Sequence, residues 1–249
     1  MVENQREKAA MPSATSPFDR RLQRAILFLI GINIVLLIVN VALYPPIVSN
    51  GGLPGLIADI GILLVYGYLM LLSPMAIGKL ANPVWRRGVY LGLCSGIVLS
   101  VDLVSGYILH DPTTSARTSL MAYGIFLLLI FASGIIGTRQ TGKLSSGITT
   151  ALWCVLIALL IWFCAEFAVY LIFSNTPNGA AFIREEMQAD YIRSGATDYQ
   201  AFALSDFFGA GFFHPLLGLF FALLLGSLGA GARKLWNAIH PTKLVVSHS

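Results

Sequence analysis

Charged residues are scarce in this sequence: they make up 11% of its 249 residues, against 56% hydrophobic residues. A soluble domain carries about 25% charged residues, so this chain lacks the polar surface that a water-soluble protein needs. Apolar runs of about 20 residues recur, and each is long enough to cross a bilayer core of ~30 Å as a helix. The runs do not alternate apolar and polar residues as barrel strands do. The composition therefore predicts an all-α polytopic membrane protein in contact with a lipid bilayer.

Motifs for covalent or metal chemistry are also lacking. The three cysteines, Cys94, Cys154 and Cys164, lie within apolar runs without CxxC spacing, so we expect buried small side chains and no disulfide or metal site. Neither HExxH, GxSxG nor a phosphate-binding GxxxxGK[ST] loop is present, and Ser95–Gly96 is interpreted as a close helix contact. The sequence therefore predicts no cofactor and does not favour an enzyme.

Six segments qualify as membrane spans. They are approximately 25–44, 55–75, 89–110, 119–136, 147–173, and 207 or 215 to 232. The first run is too long for the apolar part of a signal peptide and no small-residue cleavage site follows it, so we expect it to stay as an anchor. The predicted organisation is a disordered cytoplasmic tail (1–18), a six-helix transmembrane domain (19–236) and a second cytoplasmic tail (237–249).

The Lys and Arg residues predict the orientation of these spans. Six spans place thirteen of them on one side of the membrane and three on the other. Because cytoplasmic loops are enriched in Lys and Arg, we expect both termini inside, in a bacterial-type cytoplasmic membrane. This distribution also explains the net charge of +4, so no nucleic-acid partner is predicted.

The long connection 174–206 falls on the predicted outer side. Ile183, Met187 and Tyr191 recur every four residues and form an apolar stripe on an otherwise charged helix, with Gly195 as its C-cap. A capping box from Thr197 is expected to start a second short helix. We therefore predict a short helical lid over the bundle, with a solvated connector of no further role as the alternative.

Ionisable residues within the spans fall only in their outer halves. Such groups are costly in hydrocarbon and often mark a functional pathway, so we expect them to face the bundle interior. Polar side chains accompany them at helical spacing; Tyr170, four residues after Glu166, is close enough to reach its carboxyl group. The candidates for one polar cavity open to the outside are Asp59, Asp102, Glu166, His214, Tyr170 and Asn40. Convergence of these faces does not follow from the sequence.

The last span carries a ladder of small residues at four-residue steps. It favours close helix packing and is a candidate surface for another membrane protein. The ladder consists of Gly218, Ala222, Gly226 and Ala230. Pro215 predicts that the crossing helix starts or kinks at His214, leaving 205–213 as a separate outer segment. The favoured interpretation of His214 is that it satisfies a carboxyl group and holds the bundle together; a metal ligand or proton acceptor is the alternative.

Three functions compete on these grounds. The leading hypothesis is a transport or permease-type component that uses Asp102, Glu166 and His214 in an outward-facing polar cavity. The second is a non-catalytic accessory or assembly subunit that binds another membrane protein. The last is an intramembrane enzyme whose carboxyls and His act as acid and base.

Overall fold

The computed structural model describes residues 17–49, 52–77, 82–109 and 111–240, and within them the chain is all-α. The helices are α1 (Pro17–Leu43), α2 (Pro46–Ser49), α3 (Leu53–Ile77), α4 (Asn82–Leu109), α5 (Pro112–Thr141), α6 (Leu144–Phe173), α7 (Pro177–Ser194) and α8 (Tyr199–Ile239). Six of them, all except α2 and α7, are long and apolar enough to cross a membrane. The protein is therefore a polytopic membrane protein, as its composition predicts. The tail segments 1–16 and 241–249, and His110, lie outside the described residues.

The long helices run alternately up and down around α6, which contacts α1, α4, α5, α7 and α8. Gln23 near the start of α1 donates to the carbonyl oxygen of Met70 near the end of α3, at 2.6 Å. Asn178 of α7 donates to the carbonyl oxygen of Ile108 at the end of α4, at 2.7 Å. Residues 17 and 240 therefore lie at the same end of the bundle. The other end, which carries α7, is called the α7 end below.

Glycines allow α4 and α6 to pack closely. A Cβ at Gly92 would lie 2.6 Å from the carbonyl oxygen of Cys154, and one at Gly96 would lie 3.0 Å from that of Ala158. Ser95 between them is fully buried, with its hydroxyl 3.8 Å from the Cys154 sulfur. Small residues at membrane-helix contacts serve this close approach. The packing interpretation of Ser95–Gly96 is thus confirmed.

The three cysteines differ in burial more than their apolar surroundings predict. Cys154 is buried, Cys164 is intermediate and Cys94 is exposed on the outside of the bundle. The expectation of a buried thiol is therefore wrong for Cys94. An apolar run does not distinguish a side chain that faces lipid from one that faces another helix, because both surroundings are apolar.

The small-residue ladder of α8 packs within its own chain. Gly218, Ala222, Gly226 and Ala230 are all buried. A Cβ at Gly218 would lie 2.8 Å from the Val155 side chain, and one at Gly226 would lie 2.7 Å from Cβ of Ala151. This face is therefore covered by α6 and is not available to a partner protein. The ladder predicts a close contact correctly, and the expectation that it binds another protein is corrected.

α8 is one continuous helix of 41 residues, with Pro215 inside it. The predicted start of the helix at His214, and the separate segment 205–213, are therefore wrong, whereas a kink at this position stays a prediction. Proline removes one backbone hydrogen bond, whereas a break within the membrane would leave several backbone groups unsatisfied. Continuing through the proline is the less costly solution. The end of α8 at Ile239 also extends the helix past the predicted domain boundary at 236.

α7 is a separate helix in the predicted outer connection. Its N-cap Thr176 accepts from the backbone N–H of Gly179, and Gly195 closes it in the left-handed region at φ 68°. The predicted C-cap is thus confirmed. The prediction of a second short helix is wrong, because the chain enters α8 directly. Asp198, rather than Thr197, is the N-cap of α8, and its side chain accepts from the backbone N–H of Ala201 at 3.0 Å.

Candidate functional site

A cavity of about 450 Å³ lies at the α7 end, bounded by residues of α4, α5, α6, α7 and α8. Three of the sequence candidates line it together: Asp102 from α4, Glu166 from α6 and His214 from α8. Two glutamates of α7 and one aspartate of α8 also line it, Glu185, Glu186 and Asp206. Five carboxyl groups therefore surround one space between the helices.

The two carboxyls from α4 and α6 differ in their hydrogen bonding. Ser119 of α5 donates from Oγ to Oδ2 of Asp102 at 2.9 Å, whereas Oδ1 of Asp102 is buried without a partner. Glu166 is only 3% exposed, and its Oε2 also has no hydrogen-bond partner. A buried polar atom without a partner is costly, so each of these oxygens would be stabilised by a hydrogen-bond donor.

His214 is held by its own helix and by an aromatic ring. Its Nδ1 lies 2.9 Å from the carbonyl oxygen of Ala210, which can only accept, so Nδ1 donates. The imidazole also packs on Trp162 of α6, with ring centroids 4.7 Å apart. Among the described residues no hydrogen bond or ion pair joins His214 to a carboxyl group. His214 does interact electrostatically with Asp206, and its expected role as the partner of a carboxyl group stays a prediction.

The other three sequence candidates lie outside this cavity. Asp59 is fully buried where α3 meets α8: a Cβ at Gly211 would lie 2.6 Å from its Oδ1, and neither carboxyl oxygen has a partner. Asn40 donates from Nδ2 to the carbonyl oxygen of its own helix neighbour Leu36, at 2.8 Å. Tyr170 packs its ring on Phe207, with centroids 5.1 Å apart. In the described part of the chain Tyr170 makes no hydrogen bond to the Glu166 carboxyl.

α7 forms one wall of the cavity. Its apolar residues Ile183 and Met187 are buried against the bundle, as the predicted stripe requires, and both line the cavity. Phe182 of the same helix packs on Tyr107 of α4, with ring centroids 4.8 Å apart. α7 is thus attached to the bundle through apolar contacts, while Glu185 and its neighbour Glu186 contribute charge to the cavity.

A hydrogen bond fixes the connection between α7 and α8. The hydroxyl of Tyr44, just after α1, donates to the carboxylate of Asp198, the N-cap of α8. This bond lowers the pKa of Asp198 below its ordinary value and, with burial, raises the pKa of Tyr44 to about 12. A hydrogen bond to the charged form of an acid favours that form. The start of α8 is therefore tied to the end of α1.

A second, apolar cavity of about 250 Å³ adjoins the first. The two share the lining residues Leu99, Tyr123, Trp162 and His214. The remaining walls of the second cavity are apolar side chains of α5, α6 and α8 together with Gly218, and none of them is charged. We call the first cavity the acidic chamber and the second the apolar slot.

Ser119 and Trp162 of the acidic chamber were not singled out from the sequence, and Asp206 was noted only for its position at the outer end of the last span, although a signal for each is present. Asp102 and Ser119 lie at equal distances on either side of the short α4–α5 connection, so a helical hairpin places them at the same height. Trp162 is four residues before Glu166, and Asp206 is eight residues before His214, so each shares a helix face with its partner. Helical register alone would have identified them.

The residues present define what chemistry the site supports. Over the described ranges, no group of three or more His, Cys, Asp and Glu side chains is arranged to hold a metal ion. Ser119 donates to the Asp102 carboxyl group, and among the described residues no hydrogen bond joins it to His214. No protein-family model, curated protein or solved structure matches this chain. The site offers acceptors and apolar surface, which are features of binding.

Proposed function

We propose that the protein is a transport or permease-type membrane component whose substrate site is the acidic chamber. The observation that carries the proposal is that Asp102, Glu166 and His214, from three different spans, line one cavity. Ionisable groups that face a cavity within a membrane commonly mark the path of an ion or solute. Sites between helices of a bundle are also usual places for small ligands.

The distribution of cations supports a chamber on the outer side. At the α7 end the described Lys and Arg residues are Arg117, Arg184 and Arg193. Around the opposite end the described set is larger: Arg20, Arg21, Arg24, Arg86, Arg87, Arg139, Lys143, Arg233 and Lys234. The enrichment of cations in cytoplasmic segments favours the opposite end as the cytoplasmic one. In this orientation α7 is an outer lid and the chamber faces outward.

Charge movement in proteoliposomes tests this proposal. Purified protein is reconstituted and recorded on a solid-supported membrane while primary amines, amino acids, carboxylates and sugars are applied in turn. We expect a transient current with at least one class of solute. Glu166→Gln or Asp102→Asn should reduce it by about tenfold or more, because a hydrogen bond to a charged group contributes ~1.5–3 kcal/mol.

Asp190→Asn is the matched control for the two carboxyl variants. Asp190 lies on α7 but outside the chamber, in an exposed ion pair with Arg193 at 2.9 Å, which contributes little to stability. The current of the Asp190→Asn variant should equal that of the wild type. Gel filtration and thermal unfolding establish that each variant is folded. Absence of current with every solute, or full currents in folded Glu166 and Asp102 variants, contradicts the proposal.

The two alternative functions are less well supported by the geometry. The accessory-subunit hypothesis relies on the outer lid and on the small-residue face of α8, and α6 of the same chain covers that face. The enzyme hypothesis is favoured by no observation beyond the hydrogen bond of Ser119 to the Asp102 carboxyl group.

A further inference from the structure

The ionisable groups that line the acidic chamber are carboxyl groups and the imidazole of His214. The carboxyl groups belong to Asp102, Glu166, Glu185, Glu186 and Asp206, and no Lys or Arg is among the described lining residues. A cavity lined by one sign of charge within low-dielectric walls concentrates ligands of the opposite sign. The chamber therefore favours a cation over an anion or a neutral solute.

Glu166 provides an independent indication of a ligand. The side chain lines the chamber and is 97% buried, since only 3% of it is exposed, yet Oε2 has no hydrogen-bond partner. Oδ1 of Asp102, which lines the same chamber, is also without one among the described residues. Two such oxygens on neighbouring helices match the several N–H donors of an ammonium group.

Aromatic rings surround the same space. Trp162 and Tyr123 line both the chamber and the apolar slot, and Phe182 and Phe207 line the chamber. A cation that lies over the face of such a ring is stabilised by its quadrupole, most strongly by tryptophan. The aromatic walls therefore suit an organic cation better than a small hydrated metal ion.

The apolar slot adjoins the chamber and offers apolar surface that a bare cation does not need. Its walls include Phe126, Leu127, Leu217 and Phe221 from α5 and α8, and its volume of about 250 Å³ has room for an alkyl chain. His214 lies at the junction of the two cavities. Each methylene group that leaves water for such a slot contributes about fourfold to affinity.

We propose that the acidic chamber and the apolar slot together bind an amphipathic primary amine, with its ammonium group between Glu166 and Asp102 and its alkyl chain in the slot. This inference rests on the proposed function, because it names the substrate class of the same site. The ligand chemistry is shared by free alkylamines and by the ethanolamine headgroup of a lipid.

Binding to the full-length protein in lipid nanodiscs tests the proposal without any need for transport. The probe is hexylamine, measured by isothermal titration calorimetry, with hexylamine and empty nanodiscs as the blank for partitioning into lipid. Hexylamine should bind at one site per chain. Ethylamine, butylamine and hexylamine should differ by about fourfold in affinity per methylene group, whereas hexanoate and hexanol should not bind.

The carboxyl variants locate the ammonium group. Glu166→Gln should weaken hexylamine binding by about tenfold or more, because an amide lacks the charge that strengthens the hydrogen bond. Asp102→Asn should do the same and serves as the second variant if the first does not fold. Asp190→Asn, outside the chamber, should bind as the wild type does. Nanodiscs with and without phosphatidylethanolamine distinguish a free alkylamine from a lipid headgroup as the ligand. A bound headgroup would lower the affinity for hexylamine only in nanodiscs that contain phosphatidylethanolamine.

Several results would overturn the inference: equal binding of hexanoate or hexanol, an affinity that does not change with chain length, or unchanged affinity in folded Glu166→Gln and Asp102→Asn. Its failure is distinguishable from failure of the proposed function. If hexylamine binds but no solute produces a current, the proposed transport function is contradicted and the proposed binding site is supported. If a solute produces a current but hexylamine does not bind, the transport function is supported and the amine is contradicted as the ligand.

Discussion

Ser119 of α5 and Asp102 of α4 are joined by a hydrogen bond of 2.9 Å between Oγ and Oδ2. The bond crosses between two spans at the wall of the acidic chamber. Ser119→Ala would leave both oxygens of Asp102 without a protein partner, since Oδ1 already has none. We expect a loss of about 1 kcal/mol in the free energy of unfolding, measured as a lower midpoint of thermal unfolding in detergent.

Ser194→Ala is the control for this change. Its hydroxyl donates to the carbonyl oxygen of Tyr191 within α7 and is exposed, so water replaces the bond. The control should unfold within the error of the wild type. Equal stability of Ser119→Ala and wild type would show that the interhelical bond does not contribute.

The bond between Tyr44 and Asp198 predicts a pH dependence of stability. The pKa of Asp198 is lowered, so its contribution is present above the ordinary value of 3.8 and is lost as pH falls through the lowered pKa. The pKa of Tyr44 is raised to about 12, so its contribution is present below 10.0 and is lost as pH rises toward 12. Tyr44→Phe should therefore lower the unfolding temperature between about pH 5 and about pH 9, and the difference should vanish at both extremes. A difference that is the same at every pH contradicts the assignment.

Gly92 tests the close contact of α4 with α6. In Gly92→Ala the new Cβ would lie 2.6 Å from the carbonyl oxygen of Cys154, so the helices must separate. Overpacking of this kind costs ~1–3 kcal/mol of stability. Gly124→Ala on α5, where a Cβ meets nothing within 4 Å, should be neutral or stabilising, because alanine favours the helix. If both variants unfold at the same temperature, the contact is looser than described.

The proposed orientation predicts that both termini are cytoplasmic. Reporter domains active only in the cytoplasm, fused after Ser249 or before Met1, should both be active. A reporter inserted after Ser194, at the exposed end of α7, should be inactive. Activity only in the α7 insertion would reverse the orientation, and the chamber would then open to the cytoplasm.

The presence of the spans could be predicted from sequence because their apolar runs have the length of a bilayer core. Their ends could not, since helices continue into polar segments beyond the hydrocarbon; α5 runs from Pro112 to Thr141, whereas 119–136 was expected. Pro215 wrongly predicts a helix start at His214, because the rule for proline in water does not include the cost of a broken helix in lipid.

The grouping of the site residues was beyond a single sequence. Helical register gives the face and height of Asp102, Glu166 and Asp59, but not which helices are neighbours. α3 packs on α8 at Gly211, which takes Asp59 out of the chamber, whereas α4 and α6 bring Asp102 and Glu166 into it. In the same way, the small-residue ladder of α8 indicates a close contact without saying which helix makes it.

Cysteine accessibility tests the central claim that a solvent-open acidic chamber lies between the spans. In a background with Cys94, Cys154 and Cys164 changed to alanine, Ser119→Cys lies in the chamber wall, and Leu128→Cys, on the 67% exposed lipid side of the same helix, is its control. Proteoliposomes are treated with membrane-impermeant thiosulfonates that carry a cationic or an anionic group. We expect Ser119→Cys to react, faster with the cationic reagent, and Leu128→Cys to stay unlabelled. No reaction at Ser119→Cys, or a faster reaction with the anionic reagent, would contradict the account.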